Sequence, residues 1–194
     1  MLDAMNIAPI PLIGRFVRLE PLNADHKEGL RAALDCDPET WLIYPVNGRG
    51  EAFESLWQTL VKQFAYIVIR NADMRVVGMS SYFPDASGQS NVEIGATFLH
   101  ADARACAVNP DMKRLMLAHA FTSGARRVGF KVDTRNARSQ AAVLKLGATK
   151  EGVWRRERQT WTGHVRDTAQ FSILESEWPE VRANLDARLA HFGG

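Results

Sequence analysis

Residues 99–113 hold the densest set of groups able to do chemistry in this 194-residue chain. An apolar, strand-like run closes at Leu99. A loop follows, His100-Ala-Asp-Ala-Arg104-Ala105-Cys106-Ala107-Val108, and Asn109-Pro110 then reads as a helix start. Asparagine is a favoured N-cap and proline a favoured first helical residue. Successive N–H groups at a helix N-terminus form a ready site for a phosphate or pyrophosphate. Ala103, Ala105 and Ala107 let the backbone approach a ligand closely, and Arg104 adds positive charge. An ordinary alanine-rich strand-to-helix turn has the same appearance, so both readings stand at this level. Asp111 suits the helix dipole but would repel a phosphate, and is expected to point away.

Charge distribution carries the same ambiguity. The formal net charge is +2, yet residues 126–166 hold eleven basic residues against Asp133, Glu151 and Glu157, a local +8 that leaves −6 for the remainder. A basic third in an otherwise acidic chain fits a phosphate-bearing ligand or a solvated basic face. Nucleic-acid binding through residues 126–158 lacks interleaved aromatics and any recognition motif. His26, His100, His119, His164 and His191 show no paired metal-ligand spacing, and no metal is expected. His119 follows its helical stripe as a core-edge residue, whereas His100, near the loop, is a candidate proton relay. Cys106 has no nearby base for thiol chemistry and reads as a small-residue filler. Asp167 shares the alternation phase of Val165, Ala169 and Phe171, where pairing with an arginine or capping of backbone groups is expected.

These residues need a frame. A 46% hydrophobic, 24% charged composition is that of a globular chain. With neither repeats nor a long linker, the reading is a single domain over residues 1–194, with an extension at 1–11 and a C-terminal helix within 175–194. Two cysteines fit a reducing compartment. The N-terminus lacks a basic n-region and no run reaches membrane-spanning length, so a cytoplasmic location without membrane attachment is expected. Strands are predicted at 16–22, 66–70, 75–83 and 91–99, with turn residues at 71–74 and 84–90. Helices are predicted at about 23–34 and 51–64. A helix over 109–124, a strand over 128–134 and a helix over 136–146 follow. A hairpin of strands 149–161 and 164–174 turns at Thr162-Gly163, and a helix spans 178–192 with Pro179 in its first turn. A meander feeding one β-α-β crossover gives a mixed α/β sheet with helices on both faces.

Five short motifs lie in order along this frame. They are Ile94-Gly95; Arg104-Ala105-Cys106-Ala107-Val108-Asn109 with Lys113; Asp133-Thr-Arg-Asn136-Ala-Arg138-Ser139; Leu146-Gly147-Ala148; and Glu151-Gly152. Leu12-x-Gly14-x-x-Val17-x-Leu19-x-Pro21-Leu22 and Arg166-Asp167 flank them. Together they resemble the GNAT superfamily of acetyl-CoA-dependent N-acetyltransferases, in its ribosomal-protein (RimJ/RimL-like) branch, over roughly residues 12–180. The resemblance implies a mostly antiparallel central sheet of about seven strands. It implies a CoA pyrophosphate on Arg104, Ala105, Cys106, Ala107, Val108 and Asn109. It also implies pantetheine amides against the strand edge at Phe98 and Leu99, and cofactor contacts from Asn136, Arg138 and Ser139. Lys145 would face the adenosine end. The family's loop usually carries glycine where this chain has Ala105 and Ala107, so a positive φ there would cost ~1 kcal/mol or more. Many members place a tyrosine as general acid where this chain has Val143; a thiolate leaving group needs little such help.

Acetyl transfer requires a neutral amine and hence a base. Alternation over residues 92–99 puts Val92, Ile94, Ala96 and Phe98 on one face and Glu93, Gly95, Thr97 and Leu99 on the other. The resemblance makes Glu93, before Ile-Gly, the candidate base; a glutamate paired with an arginine is its structural alternative. The same resemblance places the linker at 37–50 over the acceptor, with Trp41 and Tyr44 as flat walls or, alternatively, as caps on the core beneath. The expected acceptor is a peptide or protein N-terminal amine. Small amines (polyamines, amino acids or aminoglycosides) are the alternative, and Asp35, Asp37 and Glu39 point towards polyamines. A CoA-binding sensor with little turnover, and a homodimer, are also compatible with the sequence.

Overall fold

The computed structural model describes residues 5–86 and 89–193. Residues 1–4 of the N-terminal stretch, Ser87 and Gly88 of the predicted 84–90 turn, and Gly194 lie outside them. Strands Leu12–Ile13 (β1) and Val17–Pro21 (β2) precede helices Lys27–Leu34 (α1) and Ala52–Leu60 (α2). Strands Phe64–Arg70 (β3), Arg75–Pro84 (β4) and Asn91–Leu99 (β5) form the meander. Then come Val108–Thr122 (α3), Arg127–Asp133 (β6), Ala137–Leu144 (α4), Thr149–Gln159 (β7), Val165–Leu174 (β8) and Trp178–Ala190 (α5). The eight strands form one sheet in the order β1-β2-β3-β4-β5-β6-β8-β7. Among hydrogen-bonded neighbours only the β5–β6 pair, joined by the crossover through α3, is parallel; the crossover through α4 brings β7 back parallel to β6, but with β8 between them. The mixed α/β, mostly antiparallel architecture is as expected. The additional strand is β1, whose two residues pair with Leu19 and Arg18 and are too few to show alternation.

Both faces of the sheet are covered. Met112, Met116 and Leu117 of α3 pack on Val92, Ile94 and Phe130 on one side. On the other, Phe53, Leu56 and Trp57 of α2 join Trp41, Ile67, Met79 and Phe98. Strand β3 is buried on both faces, which is why it reads as the continuous apolar run Ala65 to Ile69 rather than as an alternation. Helix α2 ends at Leu60, not 64; Phe64 instead opens β3 and packs edge-on against Tyr82 at 5.3 Å.

Two departures from the sequence reading bear on function. The expected single face for Val92, Ile94, Ala96 and Phe98 is broken at Ala96, whose φ is +47°. Pairing with β4 jumps from Ser81↔Gly95 to Met79↔Phe98, so two residues of β5 stand opposite one of β4. That bulge turns Phe98 to the α2 side and returns Leu99 to the α3 side. Helix α3 also starts earlier than Asn109: Ala107 is its cap, and Asn109 and Pro110 lie inside its first turn. Proline is tolerated there because the first-turn N–H groups have no intrahelical partner anyway.

Candidate active site

Strands β5 and β6 are hydrogen-bonded neighbours only from Asn91↔Arg127 to Glu93↔Gly129. Beyond that point β6 stays with β8 as far as Asp133↔Thr168, whereas β5, bent by the bulge, stays with β4. The two strands diverge and open a wedge in the middle of the sheet. A cavity of about 470 Å³ occupies it, lined by both strands, by α2 and by residues 41–47.

Glu93 sits at the fork of the wedge. Its carboxylate pairs with Lys131 Nζ at 2.9 Å, and Lys131 in turn lies 5.3 Å from the Trp154 ring. The partner is thus a lysine across the wedge rather than the arginine considered from sequence. Gly95 makes room for this carboxylate: a Cβ there would stand 2.9 Å from Glu93 Oε1.

The loop at 104–109 presents backbone donors as the anion-site reading requires. Among the described residues no acceptor bonds the N–H of Ala105, Cys106, Ala107, Val108 or Asn109, and α3 has no side-chain cap. Ala105 has φ +55°, a left-handed conformation that costs an alanine ~1 kcal/mol or more, whereas Ala107 has φ −66° and is unstrained. Asp111 points away as expected: it is 3% exposed, and its Oδ2 accepts from the N–H of Phe16 at 2.7 Å and of Val17 at 3.2 Å.

Other assigned residues are differently engaged. The Arg104 guanidinium does not face outward from the loop; it pairs with Asp37, and its Nε donates to the Leu99 carbonyl at 2.8 Å. Hydrogen bonds from Thr40 and Arg104 hold the Asp37 carboxyl down at about 2. Phe98 pairs through its backbone with Met79, and its ring stacks on Trp41 at 4.8 Å, so it belongs to the core and presents no side chain to the cavity. The Tyr44 hydroxyl donates to the Thr97 carbonyl. Burial pushes Tyr44 up to about 12, so it remains a donor at neutral pH. Thr97 and Leu99 therefore already have their carbonyls capped on the edge facing the wedge. Asn136 caps α4, accepting from Ser139 N at 3.0 Å, and lines the cavity. Arg138 is exposed beside it and makes no ion pair among the described residues.

Trp41 and Tyr44 both line the cavity, and Trp41, 1% exposed, is also core. The loop carrying them is tied to the β7–β8 turn. Trp161 Nε1 donates to the Trp41 carbonyl at 2.8 Å, and Trp161 N–H to the Pro45 carbonyl at 3.1 Å. This contact bridges the wedge. Asp35 is paired with Arg49 and Asp37 with Arg104; neither they nor Glu39 line the cavity. His100 is held by Asp102 at 2.7 Å and is also outside it, so it has no proton to relay there. His119 is a core-edge residue bonded to the Ala8 carbonyl, and Asp167 caps Arg156 N–H, both as read from sequence.

The sequence reading missed the cations that line the wedge: Lys113, Lys131, Arg158 and Arg166. Lys113 is 5% exposed, and its Nζ donates to Thr97 Oγ1 at 2.7 Å and lies 3.3 Å from Ser80 Oγ, with no carboxylate partner. Burial lowers its pKa to about 7. The phase of α3 held the signal, since Lys113 is spaced i+3, i+4 and i+7 from Met116, Leu117 and Ala120 on a buried stripe.

Comparison with known proteins agrees with this geometry. Residues 17–149 match the family model for the acetyltransferase (GNAT) domain. A search of the curated proteins gives no match. Among solved structures, one from T. thermophilus assigned as an acetyltransferase is 34% identical, with TM-score 0.86 over 95% of this chain and all (100%) of that one. A GCN5-related N-acetyltransferase from Brucella melitensis is 26% identical, with TM-score 0.86 over 94% of this chain and 86% of its own. RimJ from Mycobacterium smegmatis, in complex with CoA-disulfide, shares the fold at 18% identity, TM-score 0.76 and 92% coverage of each chain. A sheet split beside an uncapped helix start, with the matched domain spanning all of its elements from β2 to α4, makes this chain an enzyme of the GNAT acetyltransferase family.

Proposed function

We propose that this enzyme transfers acetyl from acetyl-CoA to a primary amine by direct attack in a ternary complex, and that it belongs to the RimJ/RimL-like branch. The observation that carries this reading is the wedge itself, a cavity between diverging strands with one carboxylate at its fork. In a GNAT enzyme acetyl-CoA supplies the activated acetyl group and the thiolate leaving group. The free N–H groups from Ala105 to Asn109 are the donors suited to its pyrophosphate, with Arg138 and Ser139 at the start of α4 as further contacts. Arg104 acts here as a brace, holding the 37–44 segment against the end of β5.

Glu93 takes the proton that the attacking amine must lose. Its place in the cavity lining and its fixed position over Gly95 suit that role. No side chain with an acidic proton stands at Val143, so solvent or the Ser139 hydroxyl donates the proton that converts the departing CoA thiolate to its thiol. The bridge from Trp161 to the 41–45 loop admits a thin acceptor, such as a peptide N-terminus or a small amine. It disfavours a lysine on a folded surface. Polyamines lose their support, because Asp35 and Asp37 are paired with arginines and neither they nor Glu39 line the cavity.

Calorimetric titration with acetyl-CoA, followed by a panel of peptides and amines with assay of released CoA, tests the proposal. Micromolar binding and CoA release with an amine are expected. Glu93→Gln should lower kcat by roughly 10²–10³-fold while acetyl-CoA affinity is retained. Absence of binding up to millimolar acetyl-CoA, or full turnover by the Gln variant, would overturn it.

A further inference from the structure

The charged residues lining the cavity are Glu93, Lys113, Lys131, Asp133, Arg158 and Arg166. Both carboxylates are already used. Glu93 is paired with Lys131, and Asp133, 3% exposed, is gripped by Arg135 Nη2 at 2.7 Å and Nε at 3.0 Å. The cations are not all used. Lys113 spends its donors on hydroxyls. Arg166 is 6% exposed, yet its only side-chain hydrogen bond is from Nε to Thr168 Oγ1 at 2.9 Å. The Glu157 carboxylate stays 3.7 Å from that same Nε and instead accepts the Thr168 hydroxyl at 3.0 Å. Neither terminal nitrogen of Arg166 is bonded to protein among the described residues.

A desolvated guanidinium with its outer fork unspent, facing a cavity, is built to grip something planar and negative. Glu93 and Arg166 line the same cavity, so a molecule whose anionic group reaches the fork can present a second group to Glu93. We infer that the acceptor amine also carries a carboxylate, held in the fork of Arg166 while Glu93 faces the amine. This deepens the acetyltransferase reading above and rests on it. A free amino acid's α-carboxylate and an acidic side chain next to a peptide N-terminus offer the same chemistry. Arg158, half-exposed at the same wall and 3.6 Å from Glu157, adds positive potential without competing for the fork.

The test uses matched acceptors. Each is assayed as carboxylate and as carboxamide: amino acids against their amides, and peptides beginning Asp or Glu against those beginning Asn or Gln. The expected result is a preference in kcat/KM for the carboxylate of roughly tenfold or more in one of the two series, which identifies the source. In Arg166→Gln that ratio should fall to near one. In Arg166→Lys, which keeps the charge but not the fork, it should be intermediate. Titration of the N-acetylated carboxylates and amides into the CoA-saturated protein provides a readout independent of turnover, with the same order expected. Equal use of both forms by the wild type, or a preference surviving in Arg166→Gln, overturns the inference while leaving acetyl transfer intact. Failure to bind acetyl-CoA strikes the parent reading instead, and titration of the same carboxylate and amide pairs into the protein without CoA then decides this one.

Discussion

Replacing Lys113 by methionine should make the protein more stable at neutral pH and should abolish part of its pH dependence. The side chain is 5% exposed and has hydroxyls but no carboxylate for company. Burial brings its pKa from the ordinary 10.5 to about 7. Because the folded value is the lower one, the unfolded chain binds the extra proton between these limits. Stability is therefore depressed fully below pH 7 and recovers as pH rises towards 10.5. At ~1.4 kcal/mol per decade, the penalty is about 4 kcal/mol at pH 7, about 2 at pH 9 and about 1 at pH 10. Methionine has similar length and no charge, so it removes the penalty, and it forfeits hydrogen bonds worth about 1–2 kcal/mol. The Thr97 and Ser80 hydroxyls keep their mutual bond of 2.8 Å. The expected net gain is roughly 2–3 kcal/mol at pH 7, declining to nothing by pH 10. Urea unfolding of both proteins at pH 7, 8.5 and 10 measures it. Parallel stabilities across that range would refute the reasoning, because they would mean that Lys113 is charged and satisfied in the folded protein.

Gly95→Ala places a methyl against the Glu93 carboxylate and should lower turnover by roughly tenfold or more with acetyl-CoA binding retained, measured by CoA release and calorimetry. Ala105→Gly relieves a left-handed alanine at φ +55° and should raise stability by about 0.5–1 kcal/mol in urea unfolding. Asp37, held at about 2 by Thr40 and Arg104, contributes stability above its ordinary 3.8 that is lost as pH falls through 2. Asp37→Asn should accordingly cost roughly 1–2 kcal/mol at pH 7 and little near pH 2, a difference that thermal unfolding at the two pH values would read.

The succession of strands and helices along the chain was legible because it rests on periodicity and turn residues, which are local. So was the place of Glu93 in its strand, ahead of the bulge, while its role as base came from the family resemblance alone. The β5 bulge was not legible. Ala96 adopts a positive φ with no glycine to announce it, and a strict alternation carried past it put Phe98 on the wrong face. Arg104 was misjudged for a related reason. A basic residue in a phosphate-like loop reads as a ligand contact, and its pairing with Asp37 joins segments 67 residues apart that no local pattern connects. Arg166 lay on the polar phase of β8 with Thr168 and Ser172, a phase that ordinarily means solvent; here all three are buried.

The position of β8 bears on how the molecule is made. The first five strands lie in the sheet in the order in which they are synthesised, so each can pair with its predecessor as it emerges. Strand β8 is the last of the eight, yet it lies inside the sheet, bonded to β6 on one side and β7 on the other. Until it arrives, β6 has a three-residue partnership with β5 and an otherwise bare edge. The half of the sheet that bears Lys131, Asp133 and Arg166 thus closes only after the ribosome has delivered residue 174. A chain interrupted before that point presents an open β6 edge to its neighbours.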